Sequence, residues 1–167
     1  VAKLAQKVIE IQQAEECVLL PAIERGHNRD VFPASFEQKR IFFVEKLFPG
    51  TTAYSVNWLV PLASETSKNS IEDTLNLLVE RHESLRTILT EQDGEVWQTV
   101  SQSIDYDLEL IVADARDIAE KKIVEWWNRP FFLDGEQLFR ASIVEIDGKN
   151  AYLALSAHHT IFDGYSI

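Results

Sequence analysis

The run SAHHTIFDGYSI sets His158 and His159 side by side, with Asp163 and Gly164 following after three intervening residues. Imidazole titrates near neutrality, so such a run is suited to proton transfer. If the histidines close a β-strand, their rings point to opposite faces. One ring can then work in a cleft while the other is left to the layer beneath. Asp163, buried near a basic group, could form an ion pair that shapes the loop, and Gly164 permits close backbone approach to a substrate or an unusual backbone geometry. A metal site would draw on His158, His159 and Asp163, but adjacent strand histidines diverge and no further ligand cluster is evident. A nucleophile triad is also poorly served, because no serine sits in a G-x-S-x-G turn and Cys17 lies in a linker-like region. The motif therefore points to a histidine acting on a nucleophile that the substrate supplies.

The element that delivers the pair is Tyr152–Ala157, a nearly continuous apolar run of the kind found buried on both faces in the middle of a sheet. It is the second arm of a hairpin, LFRASIVEI, DGKN, AYLALSA. An earlier hairpin, RTILTEQDGEVWQTV, turns at Asp93-Gly94. YSVNWLVPL reads as a further strand, with Pro61 near its end. Ser35 caps a helix, and Gln38 stands at capping-box spacing from it. A second helix over IEDTLNLLVERHESL is capped by Ser70, with Ile71, Leu75, Leu78 and His82 on one face and acids in its first turn. Another spans roughly 117–128 and is limited by Pro130. Trp126 and Trp127 within it read as core or interface anchors, and the Phe-rich run at 42–48 as a helix face packing on the sheet. Residues 1–20 carry Leu4, Val8, Ile11 and Leu19 in helical register, and 21–33, bracketed by prolines, reads as a linker. Helices mixed with hairpins give an α+β, or mixed α/β, class with a mostly antiparallel or mixed central sheet flanked by helices.

The 167 residues fit one modest domain or part of a larger one. A balance of 16 basic against 27 acidic residues, net −11, argues against a nucleic-acid partner. Cys17 is the only cysteine, which excludes an intrachain disulfide and a CxxC zinc site and suits the cytosol. No apolar run approaches a membrane span, and the N-terminus lacks a signal-peptide pattern, so a cytoplasmic location without a membrane partner is expected. No methionine occurs, even at position 1, which leads us to expect an excerpt, a processed chain or a piece cut from something longer.

Four stretches, in order and at matching spacing, together resemble the condensation domains of nonribosomal peptide synthetases. AHHTIFDGYS is similar to their His-His-x-x-x-Asp-Gly signature. RHESLRT, Arg81 to Thr87, matches the Arg-His-Glu-x-Leu-Arg-Thr motif at every fixed position. SFEQKRIFF resembles Ser-x-Ala-Gln-x-Arg followed by an aliphatic and an aromatic residue, with Glu37 in place of Ala. RPFFL, from Arg129, resembles Arg-Pro-Phe-Asp-Leu, with Phe132 in place of Asp. Ala157 and Tyr165 stand where Met and Trp are common. The resemblance covers about Phe32 to Ile167. It disfavours heterocyclisation domains, which replace the paired histidines with aspartates. It ranks condensation above epimerisation, whose domains usually carry Trp where Ile167 stands.

The resemblance implies one lobe of a V-shaped pair of chloramphenicol-acetyltransferase-like halves: residues 34–167 as the N-terminal lobe, the C-terminal lobe absent, 21–33 as the linker, and 1–20 as the last helix of a preceding carrier domain. It implies amide formation between a donor acyl or peptidyl thioester and an acceptor aminoacyl group. Both would arrive on carrier domains through phosphopantetheine, beside an adenylation domain of the same synthetase, with no metal or small cofactor bound directly and the fragment alone inactive. His159 is the implied working imidazole, as base or as positioning group, and His158 the structural one. Asp163 would pair with an arginine, either Arg86 or one from the other lobe. Gly164 would offer its N–H or space to the thioester arm, and Arg81 would support the site from a helix end. The alternatives are an epimerisation domain, a freestanding CoA-dependent acyltransferase and a non-catalytic, carrier-docking relative.

Overall fold

The computed structural model describes residues 3–7, 30–63, 65–102 and 108–166. Among them lie β1 (Val31–Pro33), α1 (Phe36–Leu47), β2 (Ser55–Pro61), α2 (Lys68–Arg81), a 3-10 turn (Glu83–Arg86), β3 (Thr87–Gln92), β4 (Glu95–Val100), β5 (Glu109–Ala113), α3 (Arg116–Trp127), β6 (Phe139–Ile146) and β7 (Lys149–His158). One sheet runs β2-β7-β6-β5 and a smaller one β1-β4-β3. Of the pairings between these strands, only β5–β6 is parallel. A parallel pair needs a crossover, and α3 supplies it.

β7 occupies the interior of the larger sheet, and Leu153 to His158 are all buried, as its apolar composition requires. Side-chain alternation along it divides the core. Ala154 joins Val144 and Ile111 beneath Ala119, Ile123 and Trp126 of α3. Leu153, Leu155 and Ala157 join the larger cluster, which also holds Ile71, Leu75 and Val79 of α2 and Ile41 and Phe42 of α1. Both hairpins close on Asp-Gly pairs in which each residue has positive φ: Asp93 54° and Gly94 80°, Asp147 51° and Gly148 69°. That geometry belongs to the tight turn whose twist matches the paired strands, and glycine reaches it without Cβ strain.

The capping box at Ser35 forms: Ser35 Oγ accepts from the Gln38 N–H at 3.2 Å, and Gln38 Oε1 accepts from the Ser35 N–H at 2.8 Å. α2 departs from expectation. Its cap is Ser67, whose Oγ accepts from the Ser70 N–H, so the helix begins at Lys68 and its first turn holds no acid. Of two serines three residues apart, the earlier one takes the cap. The buried stripe is then Ile71, Leu75 and Val79, while Leu78 is 39 % exposed and His82 is the C-cap.

Two strands escaped the pattern reading. β1 lies inside the stretch read as linker, but Val31, Phe32 and Pro33 pair with Thr99, Gln98 and Trp97. Three residues ending in proline show too little alternation to detect. β5 is a five-residue apolar run, too short to be told from helix by periodicity. Residues 3–7 are helical; the remainder of the helix expected over 1–20, and the linker up to Arg29, lie outside the described residues. Among the described residues, no helix is long and apolar enough to cross a membrane.

Candidate active site

The end of β7 separates the two imidazoles as alternation demands. His158 is 1 % exposed, and the His159 side chain lies on the exposed side. The backbone is held on both edges: the His158 N–H donates to Leu138 O and the His159 N–H to Tyr54 O, each at 2.8 Å. His158 Nε2 lies 2.8 Å from Oε1 of Glu45, a residue of the last turn of α1. Its Nδ1 lies 2.8 Å from Thr160 Oγ1 and accepts from the Thr160 N–H at 3.3 Å. An Nδ1 that accepts from a backbone N–H carries no proton itself, so the proton sits on Nε2 and is donated to Glu45. Burial pulls the His158 pKa below that of an ordinary imidazole, against the upward pull of Glu45. The ring is thus a neutral donor at physiological pH. Phe131 packs edge-on against it at 5.9 Å, and Tyr54 closes another side at 6.3 Å.

The stretches singled out in the sequence meet around this strand end. Gln38 Nε2 donates to Thr160 O at 3.1 Å and to Gln98 Oε1 at 3.3 Å, tying the start of α1 to the loop after the histidines. Phe131 of RPFFL is the ring against His158, and the Arg140 guanidinium covers Phe131 at 3.8 Å while donating to Pro130 O. Glu37, where the family motif has Ala, pairs with Arg40 at 2.7 Å on the exposed side of α1.

Of the two partners left open for Asp163, Arg86 makes no ion pair with it. The Arg86 guanidinium donates to Ser101 O and to Glu83, which fastens the RHESLRT turn to the segment after β4. Asp163 is exposed and bonded within its own loop: Oδ1 accepts from Ser166 Oγ at 2.8 Å, the Tyr165 N–H at 3.0 Å and the Ser166 N–H at 3.1 Å. The Ser166 hydroxyl, those N–H groups and the nearby His159 hold its carboxyl below the usual range. A Cβ added at Gly164 would meet no heavy atom within 4 Å. Arg81 is exposed at the end of α2. Among the described residues, no group of three or more His, Cys, Asp or Glu could hold a metal ion.

A cavity of about 510 Å³ opens between the end of α2 and the loop after His159. Its lining includes the buried Leu155 and Phe139, His82 and Ser84 from just past the end of α2, and Tyr165 and Ser166 from the loop. Phe162 also lines it and stacks on Trp58 with centroids 4.7 Å apart and planes 13° from parallel. Leu155 shares the parity of His159 on β7, and Phe139 pairs with Ala157, so these two lining residues lie on the sheet face on which His159 emerges, although His159 itself is not part of the cavity wall. An exposed imidazole at the end of that face can orient a substrate amine or alcohol and take its proton.

Glu45 and Thr160 were not foreseen. Glu45 had a legible signal, since it lies four residues after buried Ile41 on the same side of the helix and is an acid in a last turn, where the helix dipole disfavours it. Thr160 had none, because its role depends on the turn after β7.

Residues 28–167 match the family model described as Condensation domain. The chain belongs to the condensation-domain family. It is similar to a linear gramicidin synthase polypeptide of Brevibacillus parabrevis, with 34 % identity over 155 residues, covering 88 % of this chain and 3 % of that protein. Surfactin synthase subunit 2 of Bacillus subtilis (strain 168) is 36 % identical over 152 residues, covering 87 % and 4 %. The chain thus spans a few per cent of the length of these relatives. The crystal structure of the starter condensation domain of rhizomide synthetase superposes with a TM-score of 0.72 at 16 % identity, over 82 % of this chain and 36 % of that one. The X-domain in its complex with OxyB from teicoplanin biosynthesis gives 0.73 at 20 % identity, over 83 % and 30 %. The condensation-domain segment is of the nonribosomal peptide synthetase type, and its mixed α/β lobe has the chloramphenicol-acetyltransferase-like fold.

Proposed function

We propose that this lobe contributes the working histidine to amide formation between two carrier-bound groups. The observation that carries the reading is the division of labour at the end of β7: His158 is buried and bonded through both ring nitrogens, while the next residue, His159, is exposed. One His159 ring nitrogen accepts a hydrogen bond from the acceptor amine and takes its proton as the C–N bond forms. The C–S bond of the donor thioester breaks, and the proton passes to the departing thiolate, so the step balances without a further reactant. Holding both partners in one cleft replaces a bimolecular encounter with a positioned one.

Asp163 shapes the loop after His159 through its bonds to Tyr165 and Ser166. The open space at Gly164 suits passage of a phosphopantetheine arm. Arg86 and Arg81 support the site from the end of α2, the first by fixing the RHESLRT turn. The partners in this reading are upstream and downstream carrier domains, an adenylation domain and a second lobe, all in the cytoplasm, with residues 1–20 as a carrier's last helix and the linker ending before β1. The test is transfer in the full-length protein between loaded carriers, read by mass spectrometry of the acceptor carrier. Amide product with the wild type and its loss with His159→Ala is expected. Product formation by His159→Ala at the wild-type rate would refute the reading.

A further inference from the structure

Glu45 and Gln38 lie seven residues apart on α1, two helical turns, and so on one side of the helix. Each grips the chain next to His159. Glu45 Oε1 holds the ring of His158, and Gln38 Nε2 holds the carbonyl of Thr160. Between these two anchors lies one residue, His159. The His158 ring itself receives the Thr160 N–H, and the Ile161 N–H donates to His158 O at 3.0 Å, so the anchors also fix the turn by which the chain leaves β7.

The sequence meets two costs to place Glu45 there. A carboxylate in the last turn of a helix faces the negative end of the helix dipole, and its side chain is only 10 % exposed. An apolar residue would avoid both, and buried ion-pair partners replaced by apolar groups often leave stability unchanged or raised. The carboxylate does what an apolar side chain cannot: it accepts from Nε2 and so directs His158 Nδ1 to the Thr160 N–H.

We infer that α1 is a two-point clamp, with Glu45 and Gln38 as positioning residues that set the placement of His159 for the proposed reaction. The inference rests on His159 being the working imidazole. The clamp works through acceptor geometry, so an amide oxygen at position 45 serves as well as a carboxylate.

The experiment compares Glu45→Gln, Glu45→Leu, Gln38→Ala and His159→Ala in the full-length protein, measuring kcat and KM for the acceptor carrier together with the thermal midpoint. Glu45→Gln is expected to keep kcat within about threefold, whereas Glu45→Leu loses about ten- to a hundredfold in kcat with KM unchanged, the scale on which small misplacements act. Gln38→Ala is expected to lose several-fold in kcat, again with KM unchanged. A folded Glu45→Leu protein with wild-type kcat overturns the clamp, as does a Glu45→Gln protein as slow as Glu45→Leu. Should Glu45→Leu fail to fold, Gln38→Ala decides, and wild-type kcat there overturns the clamp. His159→Ala separates the two readings. If it remains active, the proposed function falls and the clamp with it; if it is inactive while the α1 variants are unimpaired, the clamp alone falls.

Discussion

His158 and His159 are neighbours in the chain and opposites in their surroundings. The first is enclosed by Phe131 and Tyr54 and bonded to α1 and to its own turn. The second stands in the open, anchored through its backbone to Tyr54 O. Identical side chains thus receive different chemistry from strand alternation alone. A buried, neutral, twice-bonded imidazole is a bracket. An exposed one can meet a substrate.

The difference can be broken from either side. The largest effect is expected from His159→Ala, which should lower amide formation by about a hundredfold or more, the usual contribution of a positioned acid–base group. Its thermal midpoint should stay at the wild-type value, because little packing is lost. A large fall in the midpoint would assign His159 to the bracket as well. His158→Ala should do the reverse first. It leaves Glu45 buried without its donor and opens a cavity between Phe131 and Tyr54, a loss of about 2–4 kcal/mol readable by denaturant unfolding. Stability equal to wild type would show that the bond to Glu45 contributes nothing. Gln38→Ala removes the acceptor of the Ser35 N–H, half of a capping box, and the tie to Thr160, and should cost about 1 kcal/mol in the same assay.

The pH dependence sharpens the contrast further. His158 titrates lower in the fold than in the unfolded chain, so between its two pKa values the unfolded state binds more protons. Its contribution is therefore fully present above the unfolded value near 6.5 and is lost as pH falls through the window below it, at up to about 1.4 kcal/mol per pH unit. The slope in that window should flatten in His158→Gln, and an unchanged slope would locate the titrating group elsewhere. The smallest effect is expected at Asp163. Its carboxyl is held low by exposed, local bonds, so its contribution fades only as pH falls through the carboxylate range. Asp163→Asn should scarcely move the midpoint at neutral pH, and a marked loss there would reveal a buried partner.

Much of this was legible in the chain. The apolar run Tyr152–Ala157 marked the central strand, Asp93-Gly94 and Asp147-Gly148 marked the hairpins, and Ser35 with Gln38 marked the start of α1, because each signal is local and its geometry is dictated by neighbouring residues. Ser67 displaced Ser70 as a cap because two equivalent residues competed and spacing alone could not choose. β1 and β5 went unread because strand identity in short runs comes from the partner strand. The site divides in the same way. The opposition of His158 and His159 followed from strand geometry, but Glu45 is 113 residues from His158 in the chain, and no local pattern joins them. Of the two partners the sequence leaves open for Asp163, Arg86 drops out for the converse reason: suitable charge made it a candidate, but Ser101 stands closer to Arg86 and Ser166 to Asp163.

The most direct test is diethyl pyrocarbonate labelling of the native full-length protein, with each imidazole located by peptide fragmentation and amide formation followed in parallel. His159 is expected to label readily, with activity falling in step, while His158 stays protected until the protein unfolds. Retained activity with His159 fully labelled, or His158 labelling as fast as its neighbour, would contradict the division of labour on which the account stands.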